Sequence, residues 1–353
     1  MNIVFGILLF SLLIFVHELG HFVTAKLSGV QVNEFALFMG PAIVKKKVGD
    51  TLYSIRCIPI GGYCAMEGED ADTDNPHSFQ KAAWWKRLMI LAAGSVMNFI
   101  AGIVLFAIVM APAKQIAVPV ITSFQECCEF NTADGLHLGD EILKIDGETI
   151  YLNNDISLAL SLNTSGVHDI TVLREGKKVT FENLPMSHTH LDENGKEYIH
   201  YGFGFGEPQT ATFLNKLDYV GKLAVANVRN VRLSLQMLFT GKAGLSDMTG
   251  PVGIVGLMGD VAESAQNWVD ALLNMLYFGG FIAINLAVMN LLPIPALDGG
   301  RIVALLLTTS IEAITKKKIN PKYEGYIHAA GMVVLLGFMA LIMFKDIFSI
   351  FKG

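Results

Sequence analysis

Three stretches of this chain carry no Asp, Glu, Lys or Arg for long enough to cross a lipid bilayer: 88–113, 271–297 and 325–344. A membrane-spanning helix needs roughly 20 apolar residues, and each stretch meets that length. Hydrophobic residues make up 52% of the 353 and charged residues only 16%, against a usual charged share of about 25%. That balance excludes a disordered chain and a secreted disulfide scaffold. The net charge of −6 gives no electrostatic grip on nucleic acid, so no nucleic-acid partner is expected. A fourth apolar run, 1–16, is slightly short and continues through a charged patch to Lys26. It spans only where that patch is internally satisfied. It lacks the basic start and small-residue cleavage site of a signal peptide, so it reads as a retained first helix.

The expected fold class is a polytopic α-helical membrane protein with four transmembrane helices, a membrane-associated β segment and an inserted external β-rich domain. Four spans put both termini on one side. Basic residues crowd the membrane edges of two loops: Lys26, Lys81, Lys86 and Arg87 around the first, and Arg301, Lys316, Lys317, Lys318 and Lys322 around the second. The positive-inside rule makes both loops cytosolic, with Lys345 and Lys352 arguing mildly against it. The long segment between the second and third spans is then external. The chain divides into a first helix (1–27), a cytosolic-side β segment and loop (28–87), a second helix (88–113) and an external β-rich domain (114–206). An amphipathic helix and connector (207–269), a third transmembrane region (270–301), a cytosolic loop (302–324) and a fourth helix with tail (325–353) follow.

Within 28–87, the runs 30–38 and 51–58 are β-prone, with a Gly49-Asp50 turn signal before the second. Gly61-Gly62-Tyr63 follows, and a small sheet close to the membrane is expected. Segment 115–206 has short β runs between Gly139-Asp140, Asp146-Gly147 and Glu175-Gly176 turns. Whether 202–206 belongs to its last strand is open. Segment 212–242 is helical: Phe213, Leu217, Val220, Ala224, Val228, Val231, Leu235 and Leu238 recur at spacings of three and four. Lys216, Lys222, Arg229 and Arg232 lie off that stripe. Such a helix lies on a membrane surface, in contact with lipid, or packs on the β domain.

Ionisable groups inside membrane helices are expensive and mark function by default. The first helix carries His17-Glu18-Leu19-Gly20-His21, the pattern H-E-x-x-H. Residues four apart share a helix face, so both imidazoles reach one metal, and neutral imidazole suits Zn2+. The intervening Glu18 is placed to take a proton from water activated there. The alternative is an internally hydrogen-bonded polar cluster between helices. A catalytic zinc needs a third protein ligand and an open position. Asp298, in Asn290-Leu291-Leu292-Pro293-Ile294-Pro295-Ala296-Leu297-Asp298-Gly299-Gly300, is the other acid in apolar surroundings. From an external start His17 lies about 24 Å along the helix, in the cytosolic part of a core about 30 Å thick, and Asp298 falls at the cytosolic end of the third span. Pro293 and Pro295 interrupt that span. Asp298 otherwise reads as a helix-terminating Asp-Gly turn, and Asn290 as a partner for substrate backbone or for a neighbouring helix.

At these residues the chain resembles the site-2 protease family, specifically the RseP-type bacterial intramembrane zinc metalloproteases. The resemblance runs over nearly the whole length. It includes H-E-x-x-H at 17–21 and N-x-x-P-x-P-x-x-D-G at 290–299, and Phe38-Met39-Gly40-Pro41 resembles the family's G-P element. Pro59-Ile60-Gly61-Gly62-Tyr63 resembles its P-x-G-G-Y strand. Gly94-Ser95-Val96-Met97-Asn98-Phe99 resembles its G-P-x-x-N-F, with Ser95 at the proline position. Residues 133–147 resemble the core of a single PDZ domain. The resemblance implies zinc on His17, His21 and Asp298, Glu18 as general base, and substrate binding by Asn290, Pro293, Pro295, Gly61, Gly62 and Tyr63. It implies single-span membrane protein substrates, of anti-sigma-factor or remnant-signal-peptide type. The PDZ domain would contact a substrate ectodomain or its new C-terminus. The implied location is the bacterial inner membrane, multi-pass, with the active site toward the cytosol.

Other signals are weaker. Asp70-Ala71-Asp72-Thr73-Asp74 fails as a calcium loop, because Asn75 and Lys81 stand at the glycine and bidentate positions. His188 and His190 read as a surface loop, Cys57 and Cys64 as reduced structural cysteines, and adjacent Cys127 and Cys128 give no redox conclusion. His328 reads as bonding a neighbouring helix. Two rivals stand beside the protease: a non-proteolytic membrane PDZ adaptor with a structural zinc, which needs no Glu18, and a transporter, which wants polar residues spread along several spans.

Overall fold

A computed structural model describes residues 2–69, 73–124, 135–163, 165–186, 188–191, 197–200, 202–241, 244, 250, 253–254, 256, 265, 267–317 and 322–352. Cys127, Cys128, Asp70, Asp72 and the start of the PDZ-like stretch, Ala133 and Asp134, lie outside them. The chain forms two compact units: Met1–Val109 with Asn227–Gly353, and Met110–Ala226.

Among the described residues, the first unit holds four helices long and apolar enough to cross a membrane: Gly6–Ser28, Trp84–Met110, Trp268–Asn290 and Gly325–Asp346. They belong to helices α1 (Asn2–Ser28), α2 (Trp84–Met110), α5 (Trp268–Asn290) and α7 (Lys322–Lys352). Helix α2 shows how its sequence serves two environments. Ile90, Gly94, Asn98, Gly102 and Phe106 recur every four residues and are all buried. Val96, Ile100, Val104 and Ile108 recur on another face and are exposed. Residues four apart share a face, so one stripe meets protein and the other is apolar without protein cover, as lipid requires. Small residues let the backbones close up. A Cβ on Gly20 of α1 would lie 2.4 Å from the Ala93 carbonyl oxygen of α2, and one on Gly102 would lie 2.6 Å from Ile284 of α5.

Strands β1 (Val32–Val48) and β2 (Thr51–Met66) are far longer than the two short runs the sequence suggested. Each bends, so four segments pair. Residues 32–37 lie between 62–66 on one side and 52–55 on the other, and 44–48 pair with 51–55 across the Gly49-Asp50 turn. The bend in β1 falls where Phe38 and Gly40 take positive φ (71° and 83°). A branched side chain resists that conformation and glycine accepts it. Among the described residues, segment 61–66 pairs on one edge only. Phe35, Cys64 and Met66 form a core with Ala25, Ile90 and Leu305.

After α5 the chain turns and resumes as helix α6 (Asp298–Thr315). Within the segment expected to link the last two spans, 302–324, residues 302–315 are helical. Val303, Leu306, Leu307, Ile311 and Ile314 give that helix an exposed apolar side, a pattern that fits a surface helix and that a search for charge-free spans passes over.

The second unit contains strands β3 (Gln115–Phe124), β4 (Glu141–Ile145), β5 (Glu148–Thr149), β6 (Val167–Arg174), β7 (Lys177–Pro185), β8 (His188–Leu191), β9 (Glu197–His200) and β10 (Phe203–Thr210), with helix α3 (Asn153–Leu162) between β5 and β6. The main sheet runs β10-β3-β4-β6-β7, and β5 pairs with β4. The 202–206 stretch thus enters the last strand of this sheet, and His188 and His190 fall on a strand. Ile121, Leu136, Ile142, Ile145, Ile156, Leu160, Ile170 and Val172 are buried in one core. Helix α4 (Phe213–Phe239) follows.

Candidate metal centre

His17 and His21 stand four apart on α1 and are buried. Asp298 opens α6, directly after the interrupted stretch 291–297. Backbone bonds from Leu291 N–H to Val288 O (3.1 Å) and Leu292 N–H to Met289 O (3.0 Å) close α5, and Leu297 N–H to Ile294 O (3.1 Å) forms the next turn. Gly299 and Gly300 let α6 start against this segment. A Cβ on Gly299 would lie 2.3 Å from the Leu291 carbonyl, and one on Gly300 would lie 2.3 Å from the Ile294 oxygen. This close wrapping carries the Asp298 carboxylate back to α1.

The three donor atoms form a nearly equilateral triangle. His17 Nε2 lies 3.1 Å and His21 Nε2 3.4 Å from Asp298 Oδ2, and the two Nε2 atoms are 3.2 Å apart. A tetrahedral zinc with bonds of about 2.0–2.1 Å holds neighbouring ligand atoms about 3.3 Å apart. His21 Nδ1 lies 2.8 Å from the Ile90 carbonyl oxygen. A carbonyl only accepts, so Nδ1 carries the proton and Nε2 presents its lone pair inward. Asp298 Oδ2 is buried, with no hydrogen-bond partner besides the two imidazoles. Lone pairs gathered around one point repel unless a proton or a metal cation sits among them. The residues present therefore fit a metal ion, and this trio is such a group.

Glu18 is half-buried beside the triangle. Its carboxylate faces the backbone N–H of Cys64 in β2. A Cβ on Gly62 would lie 3.9 Å from Glu18 Cγ, so the 61–66 edge segment runs past the general-base candidate. Gly61 has φ 78°.

The remaining expected residues divide. Asn290 ends α5, Pro293 is exposed, and Pro295 packs under α7, where a Cβ on Gly331 would lie 2.3 Å from Pro295 Cβ. The Tyr63 hydroxyl faces Glu34, and the Arg56 guanidinium lies over the Tyr63 ring, 5.1 Å from its centroid. Arg56 also donates to Glu34 Oε1 (2.7 Å) and to the Gly40 carbonyl (2.6 Å). These contacts give Tyr63 a part in holding the bent hairpin.

Three further residues support the centre: His328, expected to bond a neighbouring helix, and Arg301 and Asn98, to which the sequence reading assigned no role there. His328 Nδ1 of α7 accepts the N–H of Ala296 (3.2 Å), a residue held at φ 84° just before Asp298. Only the histidine's apolar neighbourhood signalled it. Arg301 of α6 pairs with Glu69 after β2. Asn98 of α2 touches His17. Each joins residues far apart in the chain, where spacing carries no signal.

Comparison with known proteins gives a consistent picture. Residues 5–338 match the family described as Peptidase family M50. The chain is 36% identical to a "Putative zinc metalloprotease" of Clostridium acetobutylicum, covering 98% of this chain and 97% of that protein. It is 34% identical to another protein of that name from Clostridium perfringens, covering 98% of each. It is 27% identical to the regulator of sigma-W protease RasP of Bacillus subtilis, again covering 98% of each.

Proposed function

The chain belongs to peptidase family M50, and from that premise we propose that it is an intramembrane zinc endopeptidase, cutting peptide bonds within transmembrane helices of single-span membrane proteins. The observation that carries this is the triangle of His17, His21 and Asp298 with Glu18 beside it, built on helices long and apolar enough to cross a bilayer. Zinc, when bound there, supplies a Lewis acid that polarises the scissile carbonyl and makes water acidic enough to attack near neutral pH. His17 and His21 contribute neutral imidazoles and Asp298 the one ligand charge. Glu18 takes the proton from the attacking water and delivers it to the leaving amine as the C–N bond breaks. No Ser or Cys nucleophile is invoked.

A peptide bond inside a helix is shielded by its own hydrogen bonds, so the substrate must be extended first. The one-sided edge at 61–66, beside Glu18, suits strand addition by an unwound substrate segment. Asn290 and the loop at Pro293 and Pro295 would flank that segment from the other side. We place the β-rich unit, as a single PDZ domain, outside the cell, where it contacts the substrate ectodomain or a newly cut C-terminus. The site then faces the cytosolic half of the bacterial inner membrane, with lipid against the exposed apolar stripes. Anti-sigma factors or remnant signal peptides are the proposed substrates, in keeping with the name of the Bacillus subtilis relative.

The test is to reconstitute the purified chain in liposomes with a single-span substrate and map the cut by mass spectrometry. Product termini within the apolar span are expected. Termini confined to the flanking soluble segments would overturn the intramembrane reading.

A further inference from the structure

Each imidazole of the metal centre has an outer nitrogen, and both outer nitrogens lie against α2. His21 Nδ1 meets the Ile90 carbonyl at 2.8 Å, and His17 Nδ1 lies 3.3 Å from Asn98 Nδ2. Ile90, Gly94 and Asn98 share one stripe at spacing four. Between the two contacts, a Cβ on Gly94 would lie 2.4 Å from His21 Nε2 and 2.6 Å from His17 Cε1. Helix α2 therefore offers bare backbone under the rings and a polar group at either end. Asn98 itself is 1% exposed.

The two ends of the Asn98 amide have opposite effects on His17. With Nδ2 toward the ring, Nδ1 must accept, so the proton sits on Nε2 and that atom has no lone pair for a metal. Oδ1 of Asn98 is then left buried without a partner. A half-turn of the amide exchanges its ends. Oδ1 then accepts from His17 Nδ1–H, and Nε2 is freed toward Asp298. Metal-binding imidazoles donate their second N–H to an oxygen, and His21 already does so.

We propose that Asn98 is a positioning residue for the metal centre, its amide oxygen holding His17 as the Nδ1-protonated tautomer that binds metal. The inference rests on the zinc reading above and extends it to α2. It makes α2 the common holder of both histidine ligands, with a backbone oxygen for one and a side-chain oxygen for the other.

The test is zinc affinity of the full-length chain in detergent, by competition with a metal-sensing chelator, for wild type, Asn98→Ala and Asn98→Asp. Asn98→Ala removes the acceptor and is expected to weaken zinc about 10–100-fold, the usual loss for an outer-sphere partner. Asn98→Asp keeps an oxygen acceptor and loses the amide donor, so it is expected to bind within about threefold of wild type. Equal affinity of wild type and Asn98→Ala would overturn the proposal, as would Asn98→Asp binding as weakly as Asn98→Ala. Should Asn98→Ala fail to fold by size-exclusion chromatography, Asn98→Asp decides alone, and a loss of about tenfold or more overturns it. A wild type that holds no zinc would overturn the zinc reading itself, which separates that failure from one confined to Asn98.

Discussion

Two His–Asp clusters in this molecule use the same side chains to opposite ends. In the β-rich unit, His168 Nδ1 donates to Asp146 Oδ2 at 2.7 Å. The same carboxylate also accepts from Asn163 Nδ2 (3.0 Å) and the Asp169 N–H (2.8 Å). Its lone pairs are occupied by protein donors, and the cluster ties a turn to strand β6. At the candidate metal centre, two ring nitrogens and one carboxylate oxygen instead converge within 3.1–3.4 Å, and the imidazoles alone stand beside the oxygen, with no backbone N–H or amide on it. A saturated carboxylate is a structural lock; one buried among imidazoles, with no other protein donor on it, is suited to a metal ion. Composition does not separate the two. The destination of each lone pair does.

The comparison breaks most sharply at Asp298. Asp298→Asn replaces the one anionic ligand with a neutral amide, and loss of bound zinc together with all cleavage is expected. Metal analysis of the purified variant checks the first and substrate cleavage the second. Retention of both would place Asp298 with the structural kind. The next largest effect lies in the other unit. Ile170 is fully buried in the β core, so Ile170→Ala is expected to cost about 2–5 kcal/mol. Hydrogen exchange in β4 and β6 should rise while zinc content stays at the wild-type level.

The smallest effect is the pH response of the saturated carboxylates. Burial works to raise both Asp140 and Asp146. The Arg174 guanidinium and the His137 N–H hold Asp140 below its ordinary value, and the Asp169 N–H, His168 and Asn163 do so for Asp146. A carboxyl depressed in the folded state adds stability above its unfolded pKa, about 3.9, and loses it as pH falls through the folded value. Protection of β4 and β6, corrected for intrinsic exchange, should therefore fall on acidification below about pH 4. Asp146→Asn should show a shallower fall, and an unchanged acid response in that variant would contradict the assignment.

Much of the candidate metal centre's geometry was legible because its residues are local. His17, Glu18 and His21 occupy one turn of one helix, so spacing alone aligns them. Asp298 was legible as an acid set in apolar sequence beside two prolines. The contacts that hold the centre in place were not. Asn98 reaches His17 across 81 positions and Arg301 reaches Glu69 across 232, and only helix packing brings them together. The hairpin was legible as strands, but its four-segment pairing depends on a bend at Phe38 and Gly40 that propensity does not reveal. Helix α6 was hidden for a different reason: its charge-free run, between Arg301 and Glu312, is too short to cross a bilayer and so reads as part of the loop between spans.

The most direct measurement of the central claim is zinc per chain alongside cleavage of a single-span substrate, for wild type and Glu18→Gln. Glu18 holds no place in the triangle, so the variant should keep about one zinc per chain and lose cleavage by about 10²–10⁴-fold, the range for a general base. Cleavage unchanged in Glu18→Gln, or zinc lost with it, would contradict the account.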